Sequence, residues 1–144
     1  HRSNLKLGIF LFSVLTLASC SSDETLDGTW TFGSAACDGT DISTTYENGA
    51  DSISITLSST TGSELAEFSG CNRTTDLVLD TITASTFNIS RTSETCGGAC
   101  SAKCTNPTSA TATAYTITGS TMTWTQANNS SHCSNQTLTL VWSK

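Results

Sequence analysis

The chain has 144 residues, of which 36% are hydrophobic and 12% are charged, and its formal net charge is −6 at pH 7. This length is that of a single domain. The acidic balance, with no cluster of lysine or arginine, disfavours nucleic-acid binding, so we expect no nucleic-acid partner.

The N-terminal residues have the pattern of an export signal. Arg2 and Lys6 are basic, residues 7–17 are almost wholly apolar, and small residues follow. The apolar run is shorter than the about 20 residues that a membrane-spanning helix needs. A basic region, a short apolar run and a small-residue cleavage site are typical of a secretory signal peptide. We therefore predict that residues 1–19 are removed.

The segment Leu17-Ala18-Ser19-Cys20 resembles the lipobox of bacterial lipoproteins. The resemblance implies that Cys20 is acylated and becomes the first residue of the mature protein, with residues 20–26 as its spacer. Several acyl chains hold a protein at a membrane where a single chain binds only marginally. Ser21 follows the cysteine instead of Asp, which implies an outer-membrane location facing the periplasm or the cell surface.

Residues 27–144 form the predicted folded domain, and their pattern is that of an all-β protein. Apolar and polar residues alternate as they do in half-buried strands, and threonine, which is abundant here, suits strands. The predicted strands are residues 26–32, 52–58, 64–70, 76–80, 84–91, 110–118, 121–126 and 136–142. We expect an antiparallel up-and-down meander of about eight strands that closes into a small barrel, because closure removes exposed edges. A β-sandwich is the alternative.

The best-defined turn is Gly119-Ser120, between two strongly alternating segments. A two-residue connection with glycine first is typical of a β-hairpin. The predicted facing pairs are Thr118 with Thr121, Ile117 with Met122, and Tyr115 with Trp124. The large side chains of this hairpin then share one face.

Ten large side chains have the inward phase of their predicted strands, or lie on the inward face of the hairpin. They are Trp30, Phe32, Ile53, Ile55, Phe68, Phe87, Tyr115, Ile117, Met122 and Trp124. We predict that they lie in the barrel interior, where they either line a ligand site or fill the space themselves.

Six cysteines remain when the acylated Cys20 is set aside: Cys37, Cys71, Cys96, Cys100, Cys104 and Cys133. An even number in an exported chain predicts three disulfides, although sequence alone leaves 15 pairings open. The alternative is a metal site on the three cysteines of residues 96–104 with His132 as a fourth ligand. Their spacing is not a common one for zinc or iron–sulfur sites, so we expect disulfides, no metal and no cofactor.

Gly28-Thr29-Trp30 at the head of the first strand resembles the G-x-W signature of the lipocalin and calycin barrels, and residues 138–144 resemble the end of small bacterial lipocalin-like lipoproteins. The chain lacks the family's T-D-Y motif. The resemblance implies that residues 27–144 form a lipocalin-like barrel with Trp30 across its closed end. A basic side chain near the last strand would pack on that tryptophan, and Lys144 is the candidate.

No catalytic constellation stands out in the mature chain. His132 lies in a loop beside a cysteine, and Asp38 with Asp41, or Glu64 with Glu67, are the carboxylate pairs available for acid–base chemistry. We expect these carboxylates to be solvated charges of turns and strand edges, and we predict that the protein is not an enzyme.

Two functions remain open at this point. In the first, the barrel binds a small hydrophobic ligand in the cell envelope. In the second, the barrel is filled and its disulfide-linked loops, residues 96–104 and 128–135, bind an envelope or surface protein. A cavity above about 300 Å³ favours the first function. The oligomeric state stays open.

Overall fold

The computed structural model describes residues 25–98, 100, 104 and 108–144, so the predicted signal peptide and Cys20 lie outside the described residues. Nine strands and one short helix make up the described part. They are β1 (Gly28–Cys37), β2 (Thr40–Asp41), α1 (Ser43–Glu47), β3 (Ser52–Ser58), β4 (Thr61–Phe68), β5 (Cys71–Asp80), β6 (Thr86–Cys96), β7 (Thr108–Thr118), β8 (Thr121–Asn129) and β9 (Gln136–Ser143).

The long strands form a closed antiparallel barrel. Strand β1 pairs with β3, each strand from β3 to β9 pairs with the next, and β9 pairs back with β1 through residues such as Phe32 and Trp142. The short β2 pairs only with the end of β1. The closing pair confirms the predicted eight-stranded barrel over the sandwich, because a barrel leaves neither terminal strand with an open edge.

The β7–β8 hairpin has the predicted register. Thr118 pairs with Thr121 and Tyr115 pairs with Trp124, with Gly119 at a φ of +60° in the turn. A positive φ at the first turn position is accessible to glycine at little cost, which is why the sequence predicts this turn so well.

Other boundaries differ from the prediction. The turn between β3 and β4 lies at residues 59–60, and Gly62 is inside β4. A Cβ atom at position 62 would lie 2.7 Å from the backbone oxygen of Thr56. Glycine at this position therefore allows β3 and β4 to approach each other closely. Strand β1 continues past the predicted residue 32 through a bulge between Phe32 and Ser34. The helix α1 was not predicted from the sequence.

Leu26, Trp30 and Lys144 occupy one end of the barrel, called here the Trp30 end. Trp30 is only 1% exposed and donates a hydrogen bond from Nε1 to the backbone oxygen of Leu26 at 2.9 Å. Lys144 Nζ lies 4.5 Å from the centroid of the Trp30 ring and donates to the backbone oxygen of Asp27 at 2.7 Å. The structure thus has the basic side chain on Trp30 that the G-x-W resemblance implies.

All three disulfides lie at the opposite end of the barrel, called here the cysteine end, where β1, β4, β6 and β8 finish. They join Cys37 with Cys133, Cys71 with Cys100, and Cys96 with Cys104. The predicted set of three disulfides is confirmed, and the pairing that sequence left open is now fixed. Two of the bridges converge on the connection between β6 and β7.

Candidate ligand-binding cavity

The side chains inside the barrel change from apolar to polar along the strands, from the Trp30 end to the cysteine end. Strand β8 shows the change directly, because its inward side chains are Met122, Trp124, Gln126 and Asn129 in that order. Strand β6 repeats it with Phe87, Ile89, Arg91 and Glu94, and β5 with Leu79, Leu77, Thr75 and Arg73. The two halves of the interior therefore have different chemistry.

The half nearest the Trp30 end is filled by packed rings. The ring of Trp124 lies 5.2 Å from that of Phe87 and 5.2 Å from that of Trp142, and Phe87 lies 5.4 Å from Tyr115. Edge-to-face and tilted contacts at these distances are favourable for aromatic pairs. This half is hydrophobic core.

The half nearest the cysteine end contains a cavity of about 470 Å³. Its apolar wall is formed by Ile53, Ile89, Trp124, Leu138 and Leu140. Its polar wall includes charged residues of β4, β5 and β6 and amides of β8. The volume lies within the range of about 300–1,000 Å³ that is usual for small-molecule sites.

A carboxylate shared by two arginines forms one side of the cavity. Arg91 donates from both terminal nitrogens to the two oxygens of Glu64, each at 2.9 Å, and Arg73 Nη2 lies 3.6 Å from Glu64 Oε1. Burial opposes the charge on Arg91, but the attraction and hydrogen bonds of Glu64 outweigh it and raise the pKa of Arg91. Thr75 donates to Glu94 Oε1 at 3.1 Å beside this cluster.

An ordered chain of amides and hydroxyls forms the other side. Asn129 Nδ2 donates to Gln126 Oε1 at 3.1 Å, and Gln126 Nε2 donates to Thr113 Oγ1 at 3.1 Å. Asn129 Oδ1 in turn accepts the backbone N–H of His132 at 2.8 Å. Both amides thus have hydrogen-bond partners within the wall, and a network of this kind favours one arrangement of its side chains.

Tyr46 of α1 reaches over the cavity from the cysteine end. Its ring stacks on Phe32 at 5.1 Å and lies 4.8 Å from the ring of His132. Burial and, next, the charge of Glu64 raise the pKa of Tyr46. Partial burial of its ring and the charge of Arg91 lower the pKa of His132. Both groups are therefore uncharged at pH 7.

The ten predicted interior residues divide between the two halves. Trp30, Ile53, Ile55, Phe87, Met122 and Trp124 are buried, and Phe32, Phe68, Tyr115 and Ile117 are partly buried against the same core. Of these ten, Ile53 and Trp124 line the cavity. The other eight pack in the core or at the rims, so most of the predicted aromatic set fills the barrel.

The expectation for Glu64 was wrong. The sequence suggested a solvated charge, but Glu64 is 4% exposed and paired with arginine inside the barrel, while Glu67 is exposed on the outer face and accepts a hydrogen bond from Ser52. The two carboxylates thus point to opposite sides of β4 and do not form an acid–base pair. The alternation that predicts an inward Phe68 also predicts an inward Glu64 four residues earlier, so the signal was present.

Within the described part of the chain, Glu94, Cys96 and Cys104 bring potential metal-ligand atoms within 4.8 Å of one another. Both sulfurs are joined in a disulfide, so neither is a thiolate ligand. The alternative metal set needed Cys96, Cys100 and Cys104 as thiolates beside His132, and all three cysteines are in disulfides. The cysteines act as covalent links between strands and loops.

The fold and the cavity define a class: a closed, disulfide-linked, eight-stranded antiparallel β-barrel with a polar-walled internal cavity. No family model, curated protein or solved structure matches the chain in three comparisons with known proteins. None of the described helices is long and apolar enough to cross a membrane.

Proposed function

We propose that this protein is a binding protein for a small molecule, which enters the cavity from the cysteine end. The observation that carries the proposal is the cavity of about 470 Å³ in the half of the barrel interior nearest the cysteine end. The half nearest the Trp30 end is filled by packed side chains. A stable barrel could fill its whole interior with apolar side chains. This one instead surrounds an open space partly with hydrogen-bonded amides and an arginine–glutamate pair.

The ligand that fits is amphipathic, which refines the small hydrophobic ligand expected from the sequence. Leu138, Leu140 and Ile89 offer an apolar wall, and Gln126 and Glu64 belong to the polar one. Burying a polar group costs free energy unless it is hydrogen-bonded, so a wholly apolar ligand would gain nothing from half of this lining. A molecule with one apolar part and one polar part matches both walls.

We further propose that the barrel is held at the bacterial outer membrane by an acylated Cys20 and that its role is not enzymatic. The support is the lipobox-like segment of residues 17–20 and the six paired cysteines, since stable disulfides belong to oxidising compartments such as the periplasm. On this proposal the protein binds its ligand in the cell envelope.

A second candidate function is the binding of an envelope or surface protein by the loops of the cysteine end. It is favoured by the convergence of two disulfides, Cys71–Cys100 and Cys96–Cys104, on the connection between β6 and β7. Cross-links of this kind reduce the entropy that a loop loses when it binds a partner.

Native mass spectrometry tests the first function. The purified protein, produced in an oxidising compartment and exposed to a total lipid extract, should retain a small adduct. The variant T111W places a large ring on a cavity-lining position and should abolish the adduct, whereas T116W on the exposed outer face of the same strand should keep it. Adducts that are equal in both variants would show that binding lies outside the cavity. No adduct at all would favour the loop function.

A further inference from the structure

The charged groups that line the cavity cancel one another. Glu64 and Glu94 carry two negative charges and Arg73 and Arg91 carry two positive charges, and both terminal nitrogens of Arg91 already donate to Glu64. Tyr46 and His132 add no charge at pH 7, given the directions in which burial moves their pKa values. A charged ligand would therefore lose its hydration without a net counter-charge to replace it.

Trp124 contributes to the lining a buried donor that has no acceptor within the described part of the chain. Trp124 is 3% exposed and lines the cavity, and its Nε1 has no hydrogen-bond partner among the residues that the structure describes. Buried N–H groups are nearly always paired with protein or water, so such a group is an exception that requires an explanation. The neighbouring amides Gln126 and Asn129 are already engaged with each other and with Thr113.

The same ring belongs to the apolar wall. Trp124 packs on Phe87 and Trp142 on the filled side and shares the cavity with Leu138 and Leu140. A ligand whose apolar body lies against this wall contacts the same indole ring that carries the unpartnered N–H. Trp124 thus gives this wall both apolar contact area and an N–H donor.

We infer that the ligand is an uncharged molecule with an apolar body and a carbonyl-type oxygen that accepts a hydrogen bond from Trp124 Nε1. This inference rests on the proposed binding function and narrows it to one chemical class: ketones, esters, lactones or amides of modest size. Carboxylates and amines of the same shape are discriminated against by the balanced charges of the lining.

Three probes of one shape test the inference: 2-acetylnaphthalene, with a carbonyl oxygen; 2-isopropylnaphthalene, without an acceptor; and 2-naphthoate, an anion. Affinities are measured by titration of the folded protein, with the indole Nε1–H signals followed by NMR. We expect the ketone to bind about five- to tenfold more tightly than the hydrocarbon, which is the usual net value of one hydrogen bond. Naphthoate should bind at least about tenfold more weakly than the ketone. The Trp124 indole N–H signal should shift downfield with the ketone alone.

Two tryptophan variants supply the control. W124F removes the donor and should make the ketone and the hydrocarbon bind equally. W142F removes a similar ring, also buried with an unpartnered Nε1 among the described residues, but Trp142 does not line the cavity, so the preference for the ketone should persist. A general loss of packing would affect both variants alike, whereas a donor role affects only W124F.

The inference would be overturned by equal binding of the ketone and hydrocarbon to the unmodified protein, by tightest binding of naphthoate, or by an unshifted Trp124 signal at saturation. Failure of all three probes would overturn it as well. The binding function stands apart from these results, because it depends on the lipid-extract adduct and its loss in T111W. An adduct without any preference for the ketone would leave the function in place and remove only the assigned ligand class.

Discussion

Arg91 holds Glu64 through two parallel hydrogen bonds of 2.9 Å, one from each terminal nitrogen to each carboxylate oxygen. The side chain of Glu64 is 5% exposed and that of Arg91 is 29% exposed, so the pair lies mostly inside the barrel. Two-point contacts of this kind fix direction as well as distance. The pair joins β4 to β6, two strands that are not neighbours in the sheet, and thereby braces the cavity wall.

Removal of the Glu64 charge should destabilise the barrel. In E64Q, Arg73 and Arg91 lose their shared negative partner inside the protein. Breaking a fully buried pair costs about 3–5 kcal/mol, and we expect about 2–4 kcal/mol here because Arg91 remains partly exposed. Urea denaturation at pH 7 measures the change in the free energy of unfolding.

Glu67 is the matched control for this variant, because it lies on the same strand and faces outward. E67Q should change the free energy of unfolding by no more than about 0.5 kcal/mol, as is usual for surface substitutions. Equal losses in E64Q and E67Q would contradict the role assigned to the buried carboxylate.

His132 should make the fold less stable in mild acid. Its folded-state pKa is lowered from 6.5 by partial burial and by Arg91. As the pH falls through 6.5, the unfolded chain takes up a proton at this residue before the folded chain does, so the free energy of unfolding falls. Denaturation curves at pH 7.5 and 5.5 measure this fall, which should be smaller in H132Q. The same pH dependence in both proteins would assign the effect to other groups.

The three disulfides should contribute unequally to stability. Cys37 and Cys133 are 96 residues apart, whereas Cys96 and Cys104 are 8 apart. In the chain-entropy model the loss is about 4–5 kcal/mol for the double variant C37S/C133S and about 2–3 kcal/mol for C96S/C104S. Thermal or urea unfolding of the two double variants measures which of them loses more stability. Equal losses would show that loop length does not govern these bridges.

Lys144 should stabilise the Trp30 end through its ring contact and its hydrogen bond to Asp27. K144M keeps the length of the side chain and removes the charge, so we expect a loss of about 1 kcal/mol, while K144R should retain most of the stability. The free energy of unfolding of the two variants is the measurement. An unchanged free energy of unfolding for K144M would show that the contact between Lys144 and Trp30 does not stabilise the fold.

Much of the fold was predictable because it depends on local alternation. Ile53 and Ile55 are two positions apart and face inward as predicted, and Leu57 continues the same alternation. The Gly119 turn fixed the register of its hairpin for the same local reason. The extra length of β1 was missed because the bulge after Phe32 shifts the phase of the alternation.

The cavity was harder to predict than the core. Its polar wall comes from Glu64, Arg73, Arg91 and Gln126, which lie on four strands and are far apart in sequence. Taken alone, each of these residues would be predicted to lie on the surface. Glutamine is mostly exposed in folded proteins, and charged side chains are almost never buried unless they are paired. The pairing becomes visible only when the strands are placed side by side.

An all-β chain, the inward phase of most strands and an even set of six cysteines for three bridges follow from the sequence alone. These properties depend on period-two alternation, turn chemistry and a count, all of which are local. The choice of a closed barrel over a sandwich, the selection of one among the 15 possible disulfide pairings, and the pairing of Glu64 with Arg91 beside an open cavity become visible only in the folded protein. Those outcomes depend on which distant strands become neighbours, and that is set by the packing of the whole chain.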